Sequence, residues 1–237
     1  MEIQRFDETY PIWIIDNFLN DTTLKMIHEE WPQLSDQKWH RGHEMIDGEK
    51  NILEQGMMSY NIKDMRGTLR DFLEYIHSDE FTEKISNITK IDGLVSDYHM
   101  RWSGLRTMLK DGFQAIHSDA RVNPDSGLRK ELTCLIYFNE DWKPEDKGYF
   151  EVWNDDITEC TNSFAPLNNR LLIFHNSDKS YHVVPKVNSE RKAITWSVLK
   201  KGEVGDRSKA LFVSRPQDDK KIGELGKKRA LVKDAHK

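Results

Sequence analysis

Long apolar runs are absent from this 237-residue chain. A membrane-spanning helix needs roughly 20 consecutive apolar residues, and no segment approaches that length. Cysteine is scarce too. Cys134 and Cys160 are the only two, and they show neither metal nor disulfide spacing. Cys134 sits inside an apolar run, which reads as a buried free thiol in a reducing compartment. Positive charge is not in excess, since 35 Lys and Arg against 40 Asp and Glu leave a net charge of −5. That balance argues against a broad non-specific nucleic-acid binder and leaves room only for a local basic groove. Residues 1–7 are charged and lack the apolar stretch of a signal peptide, so a cytoplasmic location is expected. The sequon Asn87-Ile88-Thr89 is then coincidental. Internal repeats, low-complexity tracts, a phosphate-binding P-loop, a Gly-x-Ser-x-Gly elbow and a Cys-x-x-Cys pair are all missing.

What the chain does contain is 37% hydrophobic and 32% charged residues, the balance of a globular protein with a polar surface. Residues 10–18 (YPIWIIDNF) read as an opening strand, and Asn20-Asp21-Thr22 supplies N-cap chemistry for a helix that stops at Pro32. Residues 35–58 are polar, carry three glycines and show no period, so they are expected to form a long loop, of the kind that often serves as a lid or binding segment. His40-Arg41-Gly42-His43-Glu44 falls in this loop without the spacing of a zinc-protease helix. An amphipathic helix is expected over 62–76, with Met65, Leu69, Phe72, Leu73 and Ile76 on one face, and a shorter one over 80–88.

After Gly93 the texture changes to short β-prone runs, at 105–109, 113–117, 131–138, 149–153, 170–175, 181–187 and 191–199. The expected fold is α+β or mainly β: a double-stranded β-helix, or jelly roll, with N-terminal helices packed on one sheet. Residues 1–200 form a single domain in this reading, with helical support over 1–95 and the β-barrel core over 96–200. Residues 201–237 form a basic tail, read as a weakly ordered or partly helical solvated terminus rather than a nucleic-acid arm.

The chemistry centres on His117-Ser118-Asp119. Side chains alternate along a strand, so His117 and Asp119 share a face at the end of an apolar run. One further imidazole would complete two nitrogens and one carboxylate oxygen, a set that holds Fe(II) on one face and leaves positions open. His175 and His182 are the candidates for it, and context favours His182, which a strand and a basic residue follow at short range. Arg191 opens the final strand and shares a face with Ala193, Thr195 and Ser197. Its guanidinium suits the far carboxylate of a dicarboxylate such as 2-oxoglutarate. Tyr137 is either a second donor to that carboxylate or a core tyrosine.

These residues, with the run Leu135-Ile136-Tyr137-Phe138-Asn139-Glu140-Asp141-Trp142, the Gly148-led strand and Ser180-Tyr181-His182, resemble the Fe(II)/2-oxoglutarate dioxygenase superfamily, in its prolyl 4-hydroxylase-like branch. The resemblance spans about residues 100–199. It implies iron held by His117, Asp119 and His182, and 2-oxoglutarate held by Arg191, with Tyr137 and Thr195 assisting. It implies O2 as co-substrate, ascorbate as reductant, and succinate and CO2 as co-products of C–H hydroxylation. A peptidyl proline is the implied substrate, with a free amino acid or other small metabolite as the alternative and a non-enzymatic ligand-binding barrel as the rival. Asp119 separates the chain from halogenases, which carry a small residue there. Ser197 separates it from the DNA-repair branch, which carries a second arginine. Ala193 stands where the family often has serine, with Thr195 expected to compensate.

Overall fold

The computed structural model describes residues 2–46, 48–202 and 207–231. β1 (Gln4–Phe6) and β2 (Ile12–Ile15) lead into α1 (Asp21–Glu30). Next come β3 (Trp39–Arg41), β4 (Met45–Ile46), β5 (Glu49–Lys50), β6 (Glu54–Tyr60), α2 (Gly67–Ile76) and α3 (Asp79–Thr89). The β core follows as β7 (Leu94–Ser96), β8 (Gly104–Ser118), β9 (Arg129–Tyr137), β10 (Phe150–Trp153), β11 (Cys160–Phe164), β12 (Leu171–His175), β13 (His182–Val184) and β14 (Arg191–Lys200). β15 (Leu211–Phe212) and α4 (Lys221–Leu231) complete it.

The strands run β1-β2-β12-β9-β14-β8-β13-β10-β11 and pair antiparallel throughout. β8 belongs to two layers. Its first half pairs with β14, Met108 opposite Arg191, while His117 in its second half pairs with His182 of β13. Between the halves the backbone turns through Asp111, at φ 68°. The two strands expected at 105–109 and 113–117 are therefore one bent strand, and this bend curls the sheet into the expected jelly roll.

Alternation then sorts the core. On β14, Ile194, Trp196 and Val198 face outward with Cys134, Ile136, Leu171 and Ile173, and pack on Ile27, Leu73, Phe81 and Ile85 of the helices. Ala193 faces inward with Tyr137, Leu172 and Phe174, against Phe150 and Val152 of the opposite layer. A fully buried side chain of this size contributes about 1.5–3 kcal/mol, so the helices are held mainly by this outward stripe. Cys134 is buried and free, and burial pushes its thiol pKa up.

Four expectations need correction. The helix expected over 62–76 begins at Gly67, because Asn61 caps a separate 3-10 turn at Ile62–Asp64 and Gly67 takes a positive φ of 63°. The helix start is capped by Glu30 of α1, whose carboxylate accepts the amides of Thr68 (3.1 Å) and Leu69 (2.8 Å). The expected loop over 35–58 contains β3 to β5 and most of β6, which pairs with β8. Asp47 within it lies outside the described residues. β11 was not anticipated, since its sequence Cys-Thr-Asn-Ser-Phe buries only Phe164 at the sheet edge. Finally, residues 207–231 do not form a solvated terminus. β15 pairs with Ser118 and His117, and α4 packs over it through Ile222 and Leu225. Gly226 permits this contact, because a Cβ there would fall 2.1 Å from the Phe212 carbonyl oxygen. Residues 203–206 and 232–237 of the expected tail lie outside the described residues.

Candidate active site

His117 is the penultimate residue of β8, Asp119 lies just past that strand, and His182 opens β13 directly opposite His117. Their ligating atoms all lie within 4.8 Å of one another. The Asp119 Oδ1 is 3.6 Å from the His117 Nε2 and 3.9 Å from the His182 Nε2. The Nδ1 of His117 meets the Ala115 carbonyl at 2.8 Å, and the Nδ1 of His182 meets the Ser180 carbonyl at 2.9 Å. A proton on each Nδ1 donates to that carbonyl, which leaves both Nε2 lone pairs for a metal. Burial pushes the His182 pKa down to about 3, with the adjacent His117 acting in the same direction, so its ring is neutral at physiological pH.

Asp119 is held from the other side. Its Oδ2 accepts from the Lys130 ammonium at 2.7 Å and the Thr133 hydroxyl at 2.8 Å, and the Asn176 amide donates to that hydroxyl at 3.0 Å. Burial opposes ionisation but is outweighed, chiefly by the Lys130 ammonium, and the carboxyl is held well below the usual range. Phe150 stacks on His182 at 5.0 Å and Phe212 on His117 at 4.9 Å, fixing the ring planes and excluding water. Outer supports of this kind typically contribute about 10- to 100-fold in metal affinity. Thr133→Val is therefore expected to weaken Mn(II) binding by about that factor in an electron-paramagnetic-resonance titration.

The inward face of β14 leads away from this cluster. Tyr137, Leu135 and Thr133 of β9 lie opposite Ala193, Thr195 and Ser197. Arg191 thus stands with Tyr137 at one end of a row, Thr133 stands at the end bonded to Asp119, and Thr195 lies between. Arg191 is 6% exposed and donates from Nη2 to the Tyr137 hydroxyl at 3.2 Å, while its Nε has no partner. Among the described residues no carboxylate lies within 4.0 Å of it. A buried guanidinium without an anion is costly, and a ligand carboxylate would resolve it. The cluster, Arg191 and Thr195 line one cavity of about 810 Å³. Tyr137 touches the site through Arg191 rather than lining the cavity.

His175 is elsewhere. It meets Glu131 at 3.6 Å, and Arg129 meets the same carboxylate at 2.7 Å. Burial raises the Glu131 pKa, but these two partners bring it down to about 2. A depressed carboxyl stabilises the fold fully above its unfolded pKa and loses that contribution as pH falls through the folded value. Stability is expected to drop between pH 4.5 and about 2, and Glu131→Gln to flatten that drop in urea titrations.

The sequence profile of the 2OG-Fe(II) oxygenase superfamily matches residues 103–197, the segment that carries His117, Asp119, His182 and Arg191. No curated protein sequence matches the chain. Among solved structures, a prolyl 4-hydroxylase from Pseudomonas putida superposes with a TM-score of 0.58 at 19% identity, covering 82% of this chain and 95% of its own. A Trichoplax adhaerens prolyl hydroxylase in complex with a hypoxia-inducible-factor peptide fragment gives 0.57 at 16% identity, with 80% and 83% covered. A 2OG-Fe(II) oxygenase-family oxidoreductase from Burkholderia pseudomallei gives 0.58 at 15%, with 81% and 86% covered. Residues 103–197 thus match the 2OG-Fe(II) oxygenase superfamily, about two-fifths of the chain. The fold is the prolyl 4-hydroxylase-like double-stranded β-helix. No described helix is long and apolar enough to cross a membrane.

Proposed function

We propose that this protein hydroxylates an unactivated C–H bond, with His117, Asp119 and His182 holding Fe(II) and Arg191 holding the distal carboxylate of 2-oxoglutarate. The observation that carries the reading is the pairing of two features in one cavity. Two Nε2 lone pairs and one carboxylate oxygen converge at one end, and a buried arginine with no anion of its own stands at the other. That donor set fits Fe(II). Bound iron supplies the O2 chemistry, with the balance R–H + O2 + 2-oxoglutarate → R–OH + succinate + CO2.

The protein's part is positioning. The Ala115 and Ser180 carbonyls fix the imidazole tautomers, and Lys130 and Thr133 keep Asp119 ionised and its Oδ1 turned to the imidazoles. Tyr137 steadies the Arg191 guanidinium, leaving Nε and Nη1 for the dicarboxylate. Thr195 supplies a hydroxyl midway along the cavity wall. Phe150, Phe174 and Phe212 screen the imidazoles from water.

A peptidyl proline is the first substrate class to test, in keeping with the prolyl 4-hydroxylase-like fold, and ascorbate is the reductant to supply. Fold likeness alone does not fix a substrate. A second reading, a small metabolite or free amino acid, is favoured by α4, whose Leu225 and Arg229 roof the cavity. The test is incubation with Fe(II), 2-oxoglutarate, ascorbate and O2 against panels of proline peptides and free amino acids. Succinate release matched one-to-one by a 16 Da gain on one compound is the expected result. Succinate release that no compound stimulates would refute both substrate classes.

A further inference from the structure

We infer that the substrate carries an anionic group, a carboxylate, that binds Arg106, the second arginine on the inward face of the β8–β14 pair. This deepens the proposed hydroxylation by assigning the charge of its substrate.

The cavity is cationic in an acidic protein. Seven Lys or Arg side chains line it against two carboxylates, Glu54 and Asp119, while the whole chain carries −5. Most of these cations have assigned partners. Lys130 is held by Asp119 at 2.7 Å, Arg229 by Glu54 at 3.2 Å, and Arg101 by Asp125 at 3.3 Å. Arg191 is matched to the co-substrate. Arg106 is the arginine among them that none of these pairings takes up.

Arg106 lies on β8 opposite Ala193, on the inward face, and the small Ala193 side chain leaves its stem room to enter the cavity. Its guanidinium bonds only two carbonyls of its own segment, Leu105 at 3.1 Å and Trp102 at 3.4 Å. No described carboxylate lies within 4.0 Å of it. Desolvation pulls its pKa down to about 10, so it remains a cation at neutral pH, with Glu54 helping to keep it charged. Its neighbour Trp102 lines the same cavity and lies 5.1 Å beneath the Lys130 ammonium. A partly desolvated guanidinium facing an open cavity, with spare donors and no anion, is a carboxylate receptor. The local cation excess also steers anions into the cavity.

Two sources supply such a group: the α-carboxylate of a free amino acid, or an acidic side chain beside the hydroxylated residue of a peptide. Trifluoroacetate is the probe, followed by 19F NMR on full-length protein loaded with redox-inert Zn(II) and saturating 2-oxoglutarate, so that Arg191 is occupied. Wild type is expected to bind it saturably, Arg106→Ala about tenfold or more weakly, and Arg106→Lys in between. Arg106→Lys keeps the positive charge and guards against a loss caused by misfolding. Displacement by L-proline but not by N-acetyl-L-prolinamide identifies the free amino acid. Displacement by a doubly capped Pro-Asp peptide identifies the acidic peptide. Equal binding to wild type and Arg106→Ala, no saturable binding to wild type, or equal displacement by the neutral amide would overturn the assignment. Loss of the Fe(II)–2-oxoglutarate charge-transfer band, with Arg106-dependent trifluoroacetate binding intact, would refute the iron reading alone.

Discussion

His182→Ala is expected to abolish 2-oxoglutarate turnover, lowering succinate release by at least about three orders of magnitude. His182 is one of three groups whose ligating atoms lie within 4.8 Å of one another. Its ring is set for metal binding on both sides: Nδ1 is bonded to the Ser180 carbonyl and the ring face is stacked on Phe150. Removing it leaves one imidazole and one carboxylate, a pair too weak to hold Fe(II) at micromolar concentrations. His175→Ala is the matched control. It removes a histidine that pairs with Glu131 instead, and is expected to change acid stability while the metal titration stays as in wild type. Equal loss in both variants would show that the histidines support the fold and not a metal.

The second large effect is at Arg191. Arg191→Ala removes a buried guanidinium whose only described side-chain partner is the Tyr137 hydroxyl. Truncating one member of a buried charge pair costs about 2–5 kcal/mol, equivalent to roughly 30- to several thousand-fold in the affinity for 2-oxoglutarate. The loss should appear in the KM for 2-oxoglutarate, with Mn(II) affinity unchanged, because Arg191 lies at the end of the row remote from Asp119. Arg191→Lys keeps the charge but loses the planar fork, so an intermediate KM is expected. A KM for 2-oxoglutarate that is unchanged in Arg191→Ala would remove the dicarboxylate from this end of the cavity.

The candidate ligand cluster was legible in the sequence because it obeys strand alternation. His117 and Asp119 end one strand, and Arg191 begins another whose inward and outward residues separate cleanly. The choice of His182 over His175 was legible only in combination with Arg191. The supports of Asp119 were not legible. Lys130 and Thr133 have opposite strand parity, yet both reach the Asp119 Oδ2, next to a shift in the β9–β14 register at Val198/Leu199. Period-two reading fails across such a bulge. Phe212 was missed for a different reason. It belongs to a two-residue strand in a polar, basic stretch, and only the pairing with His117 gives it a place in the site. The same pairing turns a segment that reads as a solvated tail into a cavity wall. Gly67 likewise interrupts an apolar period that runs unbroken from Ile62 to Ile76, because backbone conformation overrides side-chain pattern there.

The most direct measurement is an anaerobic titration of the protein with Fe(II) and then 2-oxoglutarate, followed by visible absorption. The expected result is a weak metal-to-ligand charge-transfer band that saturates with 2-oxoglutarate, vanishes in His182→Ala and needs far more 2-oxoglutarate in Arg191→Ala. A folded wild-type protein that develops no band would contradict the assignment of these residues as the iron and 2-oxoglutarate site.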